Sequence, residues 1–331
     1  MSADHAGAEL EISGLRDDDW SVESAMIGAW AAGPVPRAPL DSGSATLIGG
    51  TGRSWNGAAI GTPVLVPYSF ATRDSNYWTY LGAAWRDGFD PTRSEAFDVA
   101  QRASVLGALE LWEQACGVTF IEVPDAPDRW FGGIRFQLET LSTGVLGETL
   151  SWRASLSDGA QITLQRKLYA DDPLQPGNKA FQVLLHEIGH AIGLKHPFEG
   201  SPVLPTLHDN SVNTVMSYTD IGNYSQLGRF DVAAAQYLYG TQAAEDALAV
   251  RWSRGPGGTL VSTGNDDANT ITGLGIRDIV RAGGGNDAIR TGGGNDDILP
   301  GDGSDTVWGG DGMDTVWAEA PRRHATLVNL G

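Results

Sequence analysis

A single cysteine, Cys116, stands in 331 residues. No internal disulfide can form, so stability has to come from packing or from bound ions. The run Glu110 to Cys116 has helical spacing, and the thiol reads as a small buried hydrophobe rather than a nucleophile. No run of about 18 apolar residues occurs, which excludes a membrane-spanning helix. Positive charge is scarce: 22 Lys and Arg face 41 Asp and Glu, leaving a net charge of -19. A chain this acidic repels nucleic acid and anionic membrane surfaces. It suits hard divalent cations, which take carboxylate oxygens. Met1 to Leu15 has no basic segment leading into an apolar run, so no Sec-type signal peptide is visible. With 41% hydrophobic and 19% charged residues, the chain can still bury a substantial core.

Residues 1–45 carry little pattern beyond the acidic run Asp17-Asp18-Asp19 and the proline-rich stretch from Pro34 to Pro39, and read as a leader or loosely docked arm. Val64, Val66, Tyr68 and Phe70 alternate, which predicts a strand. Thr92-Arg93-Ser94-Glu95 has the spacing of a capping box. It predicts a helix to about Cys116 with Phe97, Ala100, Ala103, Leu106, Leu109 and Trp112 inward, ended by Gly117. Strands are predicted at Val118 to Val123, around Ile134 to Leu138, and at Ala160 to Lys167. A second helix follows Pro176-Gly177, with Asn178 as N-cap and an apolar stripe of Phe181, Leu184, Leu185, Ile188 and Ile192. A third runs from Asp231, as N-cap, through Tyr239, where Gly240 stops it. This order predicts an α+β domain, a mixed sheet with helices packed against it.

The chemistry concentrates in His186-Glu187-Ile188-Gly189-His190-Ala191-Ile192-Gly193-Leu194-Lys195-His196. On a helix, residues four apart share a face, so His186 and His190 can offer imidazole nitrogens to one ion. Glu187 sits beside the first ligand, placed to take a proton from water rather than to bind metal. Gly193 can end the helix with a positive φ and turn the chain so that His196 returns as a third ligand. Three protein ligands leave a position open, which is the arrangement of catalytic rather than structural zinc. His5 and His324 near the termini and His208 in a polar loop read as solvated side chains.

This eleven-residue pattern, followed by Thr214-Val215-Met216-Ser217-Tyr218, resembles the metzincins with their methionine turn. Pro197, directly after the third histidine, makes the resemblance serralysin-like. It extends through Trp55, Tyr68-Ser69-Phe70, Leu109 to Val123, Ile134-Arg135-Phe136 and Phe230 to Gly240. The resemblance implies a zincin-type fold: a mixed, twisted sheet with an antiparallel edge strand over the cleft, formed by Ala160 to Lys167. It also implies Met216 as an apolar floor under one catalytic zinc, and Tyr218 as a movable ligand that steadies the transition state. For Tyr218 the residues alone leave a packing role open. The implied activity is that of an endopeptidase on extended polypeptides, with broad specificity from backbone pairing.

A nine-residue repeat occupies the C-terminal part. Its units begin Gly283-Gly284-Gly285-Asn286-Asp287, Gly292 to Asp296, Gly301 to Asp305 and Gly310 to Asp314, each followed by an apolar residue, Ile289, Ile298, Val307 or Val316. Two worn units precede them, with Asn269 and Ile271, then Asp278 and Val280. The pattern predicts a parallel β-roll of the RTX type binding several Ca²⁺. Its ligands would come from turns holding Gly283, Gly285, Asp287, Gly292, Gly294, Asp296, Gly301, Gly303, Asp305, Gly310, Gly312 and Asp314. The predicted organisation is an arm at 1–45, a catalytic domain at 46–240, a linker at 241–258, and a roll at 259–331 that reads as incomplete at its C-terminus. The resemblance further implies a monomer exported by type I secretion machinery, acting outside a bacterial cell on polypeptides, with a proteinaceous inhibitor as a further partner. The rival class is a calcium-dependent adhesin-type protein that keeps a metzincin scaffold.

Overall fold

The computed structural model describes residues 41–48, 54–55, 60–71, 94–125, 133–151, 159–222, 225–245, 248–317 and 327–329. Most of the arm read at 1–45, and Thr92-Arg93 of the expected capping box, lie outside them. The chain forms two compact units, with the main division between Gln242 and Ala243 and with Ile121–Pro124 grouped with the second.

The first unit is built on β1 (Val64–Phe70), β2 (Ser94–Glu95), β3 (Val118–Glu122), β4 (Ile134–Glu139), β5 (Gly147–Ser151) and β6 (Ala160–Gln165). They form one sheet in the order β3-β1-β4-β6-β5, with β2 also on β4. β1, β4 and β6 run parallel, through Tyr68 opposite Ile134 and Ile134 opposite Ala160, while β5 is antiparallel to β6. Helices α1 (Val99–Ala115) and α3 (Lys179–Ala191), a single turn α2 (Arg166–Tyr169), and α4 (Arg229–Tyr239) complete the unit. Its core joins Phe70, Phe120, Phe136, Ile162 and Leu164 of the sheet to Trp112, Leu184, Ile188 and Leu238 of the helices. Cys116 is buried, its thiol donating to Trp112 O.

Several sequence expectations need correction. Ala160 to Lys167 is not the antiparallel edge strand. β6 lies inside the sheet, parallel to β4, and ends at Gln165. Both its faces are buried, Ala160, Ile162 and Leu164 on one and Gln161, Thr163 and Gln165 on the other, as an interior strand requires. The antiparallel edge is β5, whose sequence GETLS carries no apolar alternation.

The cap of α1 is Asp98 with Gln101, not the Thr92–Glu95 segment. Ser94 and Glu95 pair with β4 instead. The helix is turned from the expected face: Ala100, Ala103 and Leu106 are exposed, while Gln101 and Ser104 are buried. The cause is hydrogen bonding. Gln101 Nε2 donates to Tyr169 O and Asp172 O, and Ser104 Oγ to Pro173 O, which satisfies carbonyls of the loop leading to α3.

Finally, α4 starts two residues before Asp231, capped by Gly228. Asp231 is fully buried and its carboxylate accepts from Gly228 N at 2.7 Å, Val215 N at 2.8 Å and Thr214 Oγ1 at 2.5 Å. It thus ties the methionine turn to the first turn of α4.

The second unit contains a short helical turn α5 (Gln242–Glu245), then β7 (Arg251–Gly255), β8 (Thr259–Thr263), β9 (Thr270–Thr272), β10 (Asp278–Arg281), β11 (Ala288–Gly293), β12 (Asp297–Leu299), β13 (Thr306–Asp311), β14 (Thr315–Val316) and β15 (Leu327–Asn329). Residues 241–258 are therefore not a bare linker, since β7 pairs with β8. From β8 onward successive strands alternate between two sheets, β14-β12-β10-β8-β7 and β15-β13-β11-β9, with every pairing other than β7–β8 parallel. Alternation places every second nine-residue unit in one sheet. Ile271, Val280, Ile289, Ile298 and Val307 all point to a common interior.

Asp231 gives a test of this packing. Burial pushes its carboxyl from an ordinary 3.8 up to about 7, with the Thr214, Val215 and Gly228 bonds pulling the other way. Between those values the folded chain holds a proton the unfolded chain has lost, so this group's contribution to stability falls as pH rises through that window and is level above it. Urea titrations of the wild type should show that decline, and Asp231→Asn should lack it. Parallel pH profiles for the two proteins would refute the assignment.

Candidate metal centres

Helix α3 begins where Asn178 Oδ1 accepts from Phe181 N at 2.9 Å, and its buried stripe is the expected one. It ends with Gly193 at φ 100°, a conformation that side chains resist. Two of its last carbonyls are satisfied from elsewhere: Trp55 Nε1 donates to Ala191 O at 2.8 Å, and Tyr239 Oη to Ile192 O at 2.7 Å. Past the turn, Lys195 N donates to Leu47 O, which holds the returning strand.

The return brings His186, His190 and His196 together. His196 Nε2 lies 3.0 Å from His190 Nε2 and 3.2 Å from His186 Nε2. The Nδ1 of His186 is 2.8 Å from Val215 O, and that of His190 is 2.9 Å from Leu194 O. A carbonyl only accepts, so both Nδ1 atoms carry the proton and both Nε2 atoms present lone pairs to the cluster. Lone pairs converging at this distance repel unless a cation lies among them. Tetrahedral zinc at about 2.0–2.1 Å from each nitrogen sets them about 3.3–3.4 Å apart, close to the observed spacing. Burial and the two neighbouring imidazoles push His186 well below its ordinary value, which favours the neutral, ligating form. His196 Nδ1 lies 2.7 Å from Glu199 Oε1. Its ring stacks on Phe198, with centroids 5.0 Å apart. The cluster therefore fits a catalytic zinc by donor type and spacing.

Glu187, next to His186 on the helix, is buried. Its Oε2 accepts from Thr149 Oγ1 at 2.7 Å, and a Cβ on Gly147 would lie 2.7 Å from Oε1. Burial pushes this carboxyl up to about 8, while the Thr149 hydroxyl opposes the rise and Glu148 adds to it. Met216 is fully buried under Gly189 of α3, where a Cβ would stand 2.5 Å from Met216 Sδ. Tyr218 is half exposed, its ring 4.6 Å from that of His196 and 5.8 Å from that of His186. Sequence reasoning missed Thr149, Gly147 and Glu199. A carboxylate three residues past the third histidine was a readable signal, whereas nothing local marks Thr149.

The repeat turns form a second group. Gly283, Gly285, Gly292, Gly294, Gly301, Gly303, Gly310 and Gly312 all have positive φ. Their turns stack so closely that a Cβ at Gly303 would lie 1.5 Å from Gly285 O, and one at Gly312 1.6 Å from Gly294 O. One oxygen of each repeat aspartate accepts a backbone N–H 18 residues back: Asp287 from Asn269, Asp296 from Asp278, Asp305 from Asp287 and Asp314 from Asp296. The other oxygen, Oδ2, of Asp287, Asp296, Asp305 and Asp314 is buried without a partner, as is Asp278 Oδ1. Burial pushes Asp278 up to about 9 and raises Asp287 and Asp296, with the next carboxylate in each stack adding to the shift. Unpartnered buried carboxylate oxygens are costly and are what a hard cation takes. The row ends differently at Asn269, whose Oδ1 accepts from Asn265 N and whose Nδ2 donates to Asn265 Oδ1.

Residues 177–252 match a family model described as Met-zincin. This stretch of the chain is thus a met-zincin domain, which implies catalytic zinc. A serralysin of Proteus mirabilis is 27% identical over 219 residues, covering 56% of this chain and 42% of that protein. Serralysins of Photorhabdus laumondii subsp. laumondii and Photorhabdus luminescens are each 26% identical over 166 residues, 44% of this chain and 34% of theirs. Within the met-zincins the chain is serralysin-like, and it spans less than half the length of these curated relatives. The solved structure titled "GM1 bound form of the ECX AB5 holotoxin" aligns at 12% identity over 62% of this chain and 94% of that one, with a TM-score of 0.34, too low to define a shared fold.

Glycine to alanine inside a helix ordinarily stabilises by about 1 kcal/mol. At Gly189 the outcome should reverse, because the new methyl group displaces fully buried Met216. Differential scanning calorimetry should find Gly189→Ala melting below the wild type. A higher melting temperature would mean that Met216 does not press on α3.

Proposed function

We propose that the chain is a zinc-dependent endopeptidase that hydrolyses peptide bonds in extended polypeptides. The observation that carries this is the convergence of three imidazole nitrogens beside a buried carboxylate. His186, His190 and His196 hold the ion. Bound there, zinc would lower the pKa of a water molecule and polarise the scissile carbonyl. Glu187 takes the proton as the water attacks and passes it to the leaving amine. Burial raises its pKa, and a cation held by the three histidines would oppose that rise. Met216 supports α3 from below, and Tyr218, poised against His196, donates to the developing oxyanion.

Edge strand β5 has β6 on one side and no strand among the described residues on the other, so it offers backbone groups to an extended substrate. Backbone pairing favours broad specificity. The repeat unit is proposed to be a calcium-binding β-roll of the RTX kind, with Ca²⁺ taking the unpartnered aspartate oxygens together with carbonyls of the glycine turns. Export by type I machinery and action outside the cell complete the reading, with polypeptides as substrates and a proteinaceous inhibitor as a further partner.

Glu187→Ala should retain one zinc per chain yet lose at least about 100-fold in turnover of a fluorogenic peptide, in keeping with the usual weight of a general base. His190→Ala should lose the zinc itself. Undiminished turnover in the first variant, or full zinc content in the second, would sink the mechanism. Zinc binding by the wild type with no cleavage of any peptide would favour the adhesin-type reading.

For the repeats, the full chain should gain protection from proteolysis across 259–317 on adding Ca²⁺, with protons released into weakly buffered solution. The release follows because burial pushes Asp278 up to about 9 until a cation arrives. Identical digestion patterns with calcium and with chelator would remove calcium from the account.

A further inference from the structure

We infer that Thr149 is a positioning residue for the general base: its hydroxyl holds Oε2 of Glu187 and so leaves Oε1 as the oxygen that exchanges protons with the water and the leaving amine. The inference rests on the endopeptidase reading and adds to it a residue outside this chain's histidine motif and methionine turn.

The argument starts from the strand. β5 is antiparallel to β6, with Thr149 opposite Ile162 and Gly147 opposite Leu164. Ile162 and Leu164 belong to the core shared with α3, so Thr149 and Gly147 face that helix. Thr149 Oγ1 reaches Glu187 at two points, Oε2 at 2.7 Å and the backbone carbonyl at 2.9 Å. A hydroxyl has one proton to give. While the side chain is a carboxylate, the charged oxygen takes it, because hydrogen bonds to an ionised acceptor are roughly twice as strong as neutral ones. The carbonyl stays within reach as a second acceptor.

Gly147 completes the arrangement. A Cβ there would meet Oε1 at 2.7 Å and Cγ at 2.9 Å, so only glycine lets the strand lie this close to the carboxylate. Oε2 is thereby committed to the strand. Oε1 lies against a residue that has no side chain to bond it. The proton balance follows. Water gives a proton to Oε1, the remaining hydroxide bonds to the scissile carbon, and Oε1 then gives the proton to the departing nitrogen as the C–N bond breaks. Oε2 accepts from Thr149 while the carboxylate is charged, which is the state that takes the proton from water. Since β5 is also the strand offered to substrate, a peptide docked on it is registered against the same carboxylate through residues of one strand.

The test uses two substitutions in the full chain. Thr149→Val keeps the shape and removes the hydroxyl, while Thr149→Ser keeps the hydroxyl. The valine variant is expected to lose on the order of 10-fold or more in kcat, with KM within about twofold, and the serine variant to recover most of it. Zinc content should stay at one per chain in both. A crystal structure of the valine variant should show the Glu187 carboxylate swung away from β5. Wild-type kcat in the valine variant would overturn the inference. So would equal losses in both variants, a change confined to KM, or a Glu187 carboxylate that keeps its place against valine. A wild-type protein that binds zinc and cleaves nothing would instead be a failure of the endopeptidase reading, and this inference would fall with it.

Discussion

Everything at the histidine cluster depends on where helix α3 stops. His186 and His190 are four residues apart on one helix, but His196 can join them only if the chain reverses directly after the second. A helix end leaves carbonyls without partners, and a buried end needs substitutes for them. Trp55 and Tyr239, from opposite ends of the unit's sequence, provide two, and Gly193 takes the positive φ of the reversal. Leu194 O, carried past the turn, then receives the Nδ1 proton of His190. One local event thus fixes the third histidine, orients the second and links the N-terminal segment and α4 to the cluster.

The motif itself was legible because its spacing is its geometry. Periodicity on a helix fixes which side chains share a face, and a glycine after the stripe marks the end. The repeat glycines were legible for a related reason, since positive φ at tight stacked turns leaves no alternative to glycine. The misreadings came where tertiary hydrogen bonds outweighed local pattern. Gln101 and Ser104 look like solvent-facing positions of α1, yet loop carbonyls turned them inward. Asp231 has the chemistry of an N-cap and acts two residues inside the helix because the methionine turn supplies it with two further donors. β5 has no alternation to read, for an edge strand whose one glycine permits contact and whose one threonine makes it is specified by its neighbour rather than by its own sequence.

Both units use acidic groups in surroundings that oppose ionisation. In the first, Glu187 and Asp231 sit inside a core, each held by hydroxyl or amide donors that offset part of the cost of burial. In the second, the carboxylates stack on one another with half of their oxygens committed to backbone amides and the other half left bare. The difference is one of degree of satisfaction. A core carboxylate with three donors, such as Asp231, can be structural by itself. A buried carboxylate with one donor, such as Asp305, is an invitation to a positive charge.

Asn269 gives the stack of turns a polarity. Its amide closes both halves of its own turn onto Asn265, and its backbone N–H reaches forward to Asp287. The buried amide of that turn is fully bonded, whereas each later turn in its sheet adds a buried carboxylate that is not. Order in this stack can therefore start at one end, on a turn that buries no carboxylate, and advance from it, each new turn docking on backbone already fixed 18 residues earlier. In that sense a single amide in place of an acid turns a repeating surface into one with a beginning.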